Sequence, residues 1–327
     1  MHYRTLGKTG WKISEISLGT WQVGGKWGSP FDEKLADQIL NEAIDQGVNF
    51  IDTADVYSGG ESERAVGRLV RNRSERIYVA TKCGRRLNPH TAEGYTPENI
   101  TKFIENSLSN TGLEAIDLIQ LHCPPTAVYE QAALFDALDT LTDQGKILHY
   151  GVSVETVDEA IRALAYPNLA SVQIIFNLFR HKPADQFFAL AREAKVGVIT
   201  RVPLASGLLT GKFDKDTIFD SGDHRNFNRQ GEYFDKGETF SGVNYDVGLA
   251  GVSEYLRLFG RKFLTQYALK WILMHPEVSC VIPGASNISH VQQNVAASEI
   301  PPLPDMAMQD VEEVYEKYIK QYVHHLW

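Results

Sequence analysis

Eight short apolar runs recur along the chain: ISLGT (16–20), NFIDTA (49–54), RIYVATK (76–82), IDLIQLH (116–122), HYGVSV (149–154), SVQIIF (171–176), GVITRV (197–202) and SCVIPG (279–284). Their Ile, Val and Leu run nearly continuously instead of alternating with polar residues. That is the pattern of strands covered on both faces. Stretches of helical period lie between them. In 32–47, Leu35, Ile39, Ala43 and Ile44 form one stripe that stops at Gly47, a C-cap signal. In 96–112, Thr96 is a natural N-cap, Pro97 suits the first helical position, and Gly112 ends the pattern. Residues 127–146 repeat the pattern, and 156–165, 184–195 and 289–297 supply three more helices. This alternation predicts an α/β fold, a closed (β/α)8 barrel formed by residues 1–327 as one domain. An open doubly wound sheet is the competitor, but no G-x-G-x-x-G turn follows the first strand.

Two segments break the rhythm. From Leu204 to Gly242 the chain is polar, glycine-rich and aperiodic, as a lid or binding loop after the seventh strand would be. The stretch MQDVEEVYEKYIKQYVHHLW (308–327) reads as a C-terminal helix covering one end of the barrel.

Composition narrows the function classes. A formal net charge of -9 argues against a nucleic-acid or anionic-membrane binder, which needs a basic face. Three scattered cysteines without C-x-x-C spacing fit a reducing compartment. There is no basic segment followed by an apolar run at the start, and no apolar run of about 18 residues. The expectation is a cytoplasmic globular protein. Cys83 and Cys123 read as packing residues, because neighbouring strand residues face opposite ways. The terminal VHHLW reads as a surface tail, and no metal site is expected.

The chemistry lies where apolar runs end in polar residues. Asp52 stands in the C-terminal half of the second strand, with Tyr57 just beyond it. Lys82 ends the third strand and His122 the fourth. In a barrel these positions converge at one rim. A buried carboxylate needs a partner, and Lys82 is the natural one. An ammonium beside a phenol favours the phenolate and lowers the tyrosine pKa, making a better general acid. His122 would orient a carbonyl. The set suits carbonyl reduction, with hydride from a nicotinamide and the proton from Tyr57.

These residues carry a resemblance. Over essentially its whole length the chain resembles the aldo-keto reductases, through GVNFIDTADVYSGGESERAVG, VATK, LIQLH, YGVSV, VQIIFN, RVPLASGLLTGK and IPGASNISHVQQN. The last motif is similar to the bacterial and potassium-channel β-subunit branch. The resemblance implies a (β/α)8 barrel, a nicotinamide cofactor, a small carbonyl or alcohol substrate, and a catalytic tetrad at Asp52, Tyr57, Lys82 and His122. It implies NADP(H), with Ser286 and His290 at the adenosine 2′-phosphate, Gln293 and Asn294 toward the adenine, and Gly284 and Asn287 also at the cofactor. It places Arg201, Val202, Pro203, Leu204, Ser206 and Gly207 along the cofactor, with Leu204 and Ser206 at the pyrophosphate and Lys212 adding charge. Ser153 and Gln173 would hold the carboxamide, and Thr20 and Trp21 would border cofactor and substrate. Arg225 and Arg229, in the long loop, could reach the adenosine phosphates.

Two departures from the family pattern stand out. Val154 replaces the usual asparagine after Ser153. Arg201 stands where many members carry an aromatic ring. Three partners suit Arg201: the cofactor pyrophosphate, an acid of the barrel, or the substrate. The last would select a polar or anionic carbonyl, such as a sugar derivative. Trp21, Tyr57, His122 and Arg201 are thus the candidate substrate contacts. A reading from another class is a cofactor-bound sensor or interaction subunit with little turnover.

Overall fold

Each of the eight apolar runs forms a strand in the computed structural model, which describes residues 1–25 and 30–327. Ahead of them, β1 (Tyr3–Thr5) and β2 (Lys12–Ser14) make an antiparallel hairpin that the apolar pattern did not reveal. The parallel strands are β3 (Leu18–Gly19), β4 (Phe50–Asp52), β5 (Tyr78–Cys83), β6 (Ile116–His122), β7 (Ile147–Ser153), β8 (Ser171–Ile175), β9 (Gly197–Arg201) and β10 (Val278–Val281). Each pairs with the next in chain order. Bridges from Ile16 to Val281 and from Gly19 to Gly284 join the two edges, and the sheet closes as a (β/α)8 barrel. All seven residues of β6 are buried, as a strand covered on both faces requires.

The hairpin has a physical purpose. Leu6 and Ile13 pack against Phe50, Ala80, Leu118, Ile199 and Cys280 inside the barrel. They fill one end of the barrel, which is therefore a packed core and not a pore.

The expected helices form, with the expected signals at their ends. Helix α1 (Glu33–Asp45) starts where the Asp32 side chain accepts from Leu35 N at 2.9 Å. Helix α2 (Glu61–Asn72) begins inside a motif read for its chemistry. In α3 (Pro97–Thr111), the Thr96 hydroxyl accepts from Asn99 N at 3.2 Å, and left-handed Gly112 ends the helix. Then come α4 (Ala132–Asp143), α5 (Val157–Ala163), with a Thr156/Glu159 capping box, and α6 (Phe187–Glu193).

The long loop after β9 holds short helical turns, among them α7 (His224–Phe227) and a 3-10 turn at Lys236–Glu238. Helices α8 (Tyr245–Phe259) and α9 (Leu264–Leu273) follow it, and both escaped the periodicity reading. Seven of the ten residues of α9 are buried, so it shows no single apolar stripe. Helix α10 (Ile288–Val295) follows β10, and α11 (Asp305–Val314), a π-helical turn and α12 (Lys320–Val323) end the chain.

This terminal segment departs from expectation. It packs along α8, and its last residues do not end in free solvent. Nor is VHHLW a surface tail. Val323 and Trp327 are buried, the Trp327 indole N–H donates to Asp235 at 2.9 Å, and its ring lies 3.8 Å from the Arg180 guanidinium carbon. His324 bonds the Tyr315 hydroxyl and the Asp185 carboxylate. A large amphipathic ring with a cation to cover gains more by docking than by solvation.

Two predictions follow from this packing. Helix α2 approaches α3 at Gly67, where a Cβ would lie 1.9 Å from the Thr111 carbonyl oxygen. Helix propensity favours alanine there by about 1 kcal/mol, but the clash forces the helices apart. Gly67→Ala is expected to cost about 1–3 kcal/mol, read as a lower urea midpoint.

The second concerns Asp55, buried just after β4. Burial, and then the nearby Glu63 carboxylate, raise its pKa to about 7. The folded state therefore keeps a proton that the unfolded chain has lost, so this group's contribution to stability falls as pH rises from the ordinary carboxylate range to about 7. Asp55→Asn should flatten that slope in thermal melts. An unchanged slope would remove Asp55 as its source.

Candidate active site

The strand register sets the site. Lys82 stands opposite Gln120, and His122, Ser153 and Gln173 form the next row across β6, β7 and β8. Asp52, Lys82 and His122 each end or nearly end a strand, at one rim of the barrel. Asp52 and Lys82 form a buried ion pair. The other Asp52 oxygen accepts from the side-chain amides of Gln120 at 3.0 Å and Gln173 at 2.8 Å. Lys82 Nζ also donates to the Thr53 carbonyl at 3.0 Å and to the Tyr57 hydroxyl at 3.3 Å. The Trp21 ring meets Tyr57 edge-on at 5.4 Å. Thr20 is tied to β4, its hydroxyl donating to the Asp52 carbonyl at 3.1 Å.

Burial pushes the Lys82 ammonium down, but Asp52 and Tyr57 outweigh it and hold its pKa above the ordinary value. The charge persists. For Tyr57 the balance runs against the sequence expectation. Burial raises the phenol and Lys82 only partly offsets it, so the net direction is up. An enclosed phenolate loses more solvation than one neighbouring ammonium restores. Tyr57 therefore holds its proton at neutral pH. Burial, together with the charges of Arg85, Lys82 and Arg201, puts His122 well below the ordinary histidine value. It is a neutral imidazole, and its Nδ1 has no partner among the described residues.

Arg201 has found an acid of the barrel. Its Nη2 donates to Glu155 at 2.8 Å and to the Val154 carbonyl at 3.0 Å, and its Nη1 lies 3.5 Å from Glu238. The two departures from the family pattern thus meet, since the Val154 backbone helps to hold Arg201. Arg85 closes the set, 2.6 Å from Glu238 and 3.3 Å from Glu155. Burial raises Glu155 to about 7. It acts on Glu238 too, but Arg85 and Arg201 pull that group down to about 2.

Cys83 is a core residue, but Cys123 is not simple packing. It follows the strand with φ 48°, where strand alternation no longer applies, and its sulfur lies 3.5 Å from Arg201 Nη2. The Cys123 sulfur and the Glu155 and Glu238 carboxylates lie within 4.8 Å of one another, but the two arginines already neutralise those acids.

One cleft joins Thr20, Trp21, Asp52, Tyr57, Lys82, His122, Gln173 and Arg201 to the segments after β9 and β10. Val202, Pro203, Leu204, Ser206, Gly207, Lys212 and Arg225 line it from the long loop. Gly284, Ser286, His290, Gln293 and Asn294 line the far end. Three expected residues, Ser153, Asn287 and Arg229, stand apart from the lining. Ser153 is buried beside Cys123, their Oγ and Sγ 3.6 Å apart. The Asn287 side chain caps α10, accepting from His290 N at 2.9 Å.

Other expected groups are engaged locally. The Ser206 hydroxyl donates to the Glu238 carbonyl and accepts from Phe240 N, both at 3.1 Å, which ties the turn to the long loop. Arg225 pairs with Asp223, and Arg229 donates to the Arg225 carbonyl at 2.7 Å. Val202, Ala205 and Ser206 have φ of 51°, 47° and 54°, left-handed values that cost non-glycine residues energy. Asn177 helps to hold this turn, donating to the Val202 carbonyl and to Ser241, both at 2.8 Å. At the far end the Ser286 hydroxyl lies 3.2 Å from His290 Nδ1, and burial and then Lys212 lower the His290 pKa.

The sequence reading missed Gln120, Asn177, Arg85, Glu155 and Glu238. Glu155 carried a usable signal. It is an acid just past an apolar run, as Asp52 is an acid inside one.

Comparison with known proteins places this geometry. The model of the aldo/keto reductase family matches residues 15–316. The chain is 31% identical over 306 residues to "Aldo-keto reductase YhdN" of Bacillus subtilis, covering 92% of this chain and 88% of that one. It is 29% identical to a "Probable voltage-gated potassium channel subunit beta" of Arabidopsis thaliana, covering 98% of each. Among solved structures, the holo form of aldo-keto reductase AKR11C1 from Bacillus halodurans superposes with a TM-score of 0.77 at 26% identity, over 96% of each chain. The glycerol dehydrogenase AKR11B4 from Gluconobacter oxydans does so with a TM-score of 0.79 at 27% identity, over 97% of this chain and 96% of that one. No helix among the described residues is long and apolar enough to cross a membrane. The chain belongs to the aldo/keto reductase family and is an oxidoreductase by that membership.

Proposed function

We propose that the chain is an NADP(H)-dependent reductase of aldehyde or ketone carbonyls, with Asp52, Tyr57, Lys82 and His122 as its catalytic groups. The observation that carries the reading is the half-buried contact of Tyr57 with a charged Lys82, beside a neutral His122. Tyr57 donates its proton to the carbonyl oxygen as that oxygen gains charge. Lys82 then stabilises the phenolate left behind, and Asp52 keeps Lys82 charged and in place. His122, being neutral, can donate one N–H to the same oxygen without adding a charge.

The residues at the far end fit a dinucleotide. Lys212 and Arg225 supply cationic groups, and the turn at 202–207 with the start of α10 supplies backbone near them. When bound, a nicotinamide supplies the hydride. Gln173 faces the cleft for the carboxamide. The sequence expectation gave Ser153 the same role, but its burial beside Cys123 makes it a support behind that face. Ser286 and His290 would meet the 2′-phosphate by hydrogen bonding, and Lys212 by charge. A solved relative is named a glycerol dehydrogenase, which accords with a hydroxylated substrate.

Tyr57→Phe should keep cofactor binding and lose reduction by roughly 10²–10⁴-fold. Lys82→Met should do the same by leaving the phenolate unsupported. Near-normal turnover in Tyr57→Phe would sink the assignment. For the cofactor, fluorescence titration should show NADPH bound more tightly than NADH, with Ser286→Ala and His290→Ala together narrowing the gap. Equal affinities in the parent protein would mean that no 2′-phosphate site exists.

A further inference from the structure

The chain leaves α12 through a turn, and Trp327 then points back into the protein. His325 and Leu326 before it are exposed, while its own side chain is buried. The ring fills a slot between two segments. On one side is the turn after β8, where the Arg180 guanidinium carbon lies 3.8 Å from the ring centre. On the other is the end of the long loop. A Cβ at Gly237 would lie 3.1 Å from Trp327 Cε2, and one at Gly242 would lie 2.3 Å from Cη2. The indole therefore packs directly on loop backbone, at two positions where a side chain would meet it.

Both sides of the slot gain from the ring. Arg180 is buried, and its Nε and Nη2 make no hydrogen bond among the described residues. Burial pulls its pKa down. An indole face is the best aromatic compensation for such a cation. On the loop side, Asp235 Oδ1 accepts both the indole N–H at 2.9 Å and the Gly237 N–H at 2.6 Å. One oxygen thus joins Trp327 to the turn at Lys236–Glu238. That turn reaches the cleft in two ways. The Glu238 side chain lines it, and the Glu238 carbonyl accepts from the hydroxyl of Ser206, which also lines it. Trp327 does not itself line the cleft.

We infer that Trp327 is a positioning residue for the cofactor: it latches the end of the long loop against the barrel and so sets how long the cofactor stays bound. The inference rests on the reading of the cleft as an NADP(H) site. With the ring in its slot, the turn at Lys236–Glu238 is braced from behind, and Ser206 and Glu238 keep their places on the cleft wall. With the ring out, Arg180 becomes a buried cation without a covering face, and the loop loses its indole bond at Asp235. Loosening there acts on release and not on the reacting groups. Asp52 and Lys82 are held by Gln120 and Gln173 from β6 and β8, which the slot does not include. A change in a residue remote from the chemistry then shows in the off-rate.

The test is NADPH release from Trp327→Ala and Trp327→Phe. Bound NADPH is displaced by excess NADP⁺ and its own nicotinamide emission is followed by stopped flow. A dissociation rate does not depend on how much of the protein is folded. Release should be about tenfold faster from Trp327→Ala than from the parent. Trp327→Phe keeps a ring in the slot and loses only the indole donor, so its rate should fall between the two. Single-turnover hydride transfer to glyceraldehyde at saturating NADPH should be unchanged in both variants. Release from Trp327→Ala at the parent rate, even with a lowered melting temperature, makes the ring a packing residue and overturns the inference. So does faster release with an equal loss of hydride transfer, the mark of a general disturbance of the cleft. If Trp327→Ala does not fold, Trp327→Phe decides, and release from it at the parent rate overturns the inference. Release that responds to Trp327 in a protein that reduces no aldehyde or ketone keeps the latch and removes the reductase reading. A parent protein that binds no NADPH removes both.

Discussion

A buried pair of a carboxylate and an ammonium sets the terms for the mouth of this barrel. Each ion loses several kcal/mol of solvation on burial, and mutual attraction repays it only if further hydrogen bonds complete both groups. Those bonds come from separate strands: Gln120 on β6, Gln173 on β8, and the Thr53 carbonyl and Tyr57 hydroxyl after β4. A slip of one residue in any of these strands would turn its contribution to the other face. Removing one partner would leave a buried charge uncompensated, at about 3–5 kcal/mol. The pair therefore demands the strand register and also positions Tyr57.

A second charged set borders the first and shapes it at a distance. Arg85 and Arg201 help to keep His122 neutral. Glu238 holds both of them, and it belongs to the long loop, whose turn at Lys236–Glu238 is also tied to Ser206 and reaches Trp327 through Asp235. The left-handed residues Val202, Ala205 and Ser206 lie at the start of that loop. Strain of about 1–3 kcal/mol for each such residue persists only where the surroundings impose it. Asn177 and Ser241 do so here.

What the sequence disclosed followed from local contrast. Asp52, Lys82 and His122 were legible because each is a polar residue at or near the end of an apolar run, and alternation along a strand says which face it takes. By the same alternation Gln120 shares a face with His122 two residues on, yet a lone amide inside a strand gives no reason to single it out. Arg85 and Glu238 are 153 residues apart, and nothing local couples them. The direction of the Tyr57 pKa was misjudged for a related reason. The ammonium was visible in the sequence, but enclosure by Trp21 and distant parts of the chain was not. Helix α2 was hidden because its exposed face is densely charged, and α9 because it is buried on nearly every side.

The two charged sets together give the cleft a direction. Left unpaired, Arg85 and Arg201 would make the substrate end as cationic as the end lined by Lys212, Arg225 and His290. An anionic ligand would then be drawn to either. Glu238, with Glu155 where that group is ionised, reduces the attraction at the proposed substrate end, and Asp52 matches Lys82 beside it. At the far end Arg225 is paired with Asp223, while Lys212 makes no ion pair among the described residues. On the proposed reading, attraction for phosphate is thereby weighted toward that far end. In a long cleft with hydrogen-bonding groups throughout, that asymmetry selects a single orientation for a ligand with one anionic and one neutral end. It also leaves Tyr57 facing the neutral one. On the proposed reading, the acids set against the buried arginines are thus what separates the part of the cleft that binds by charge from the part that reacts.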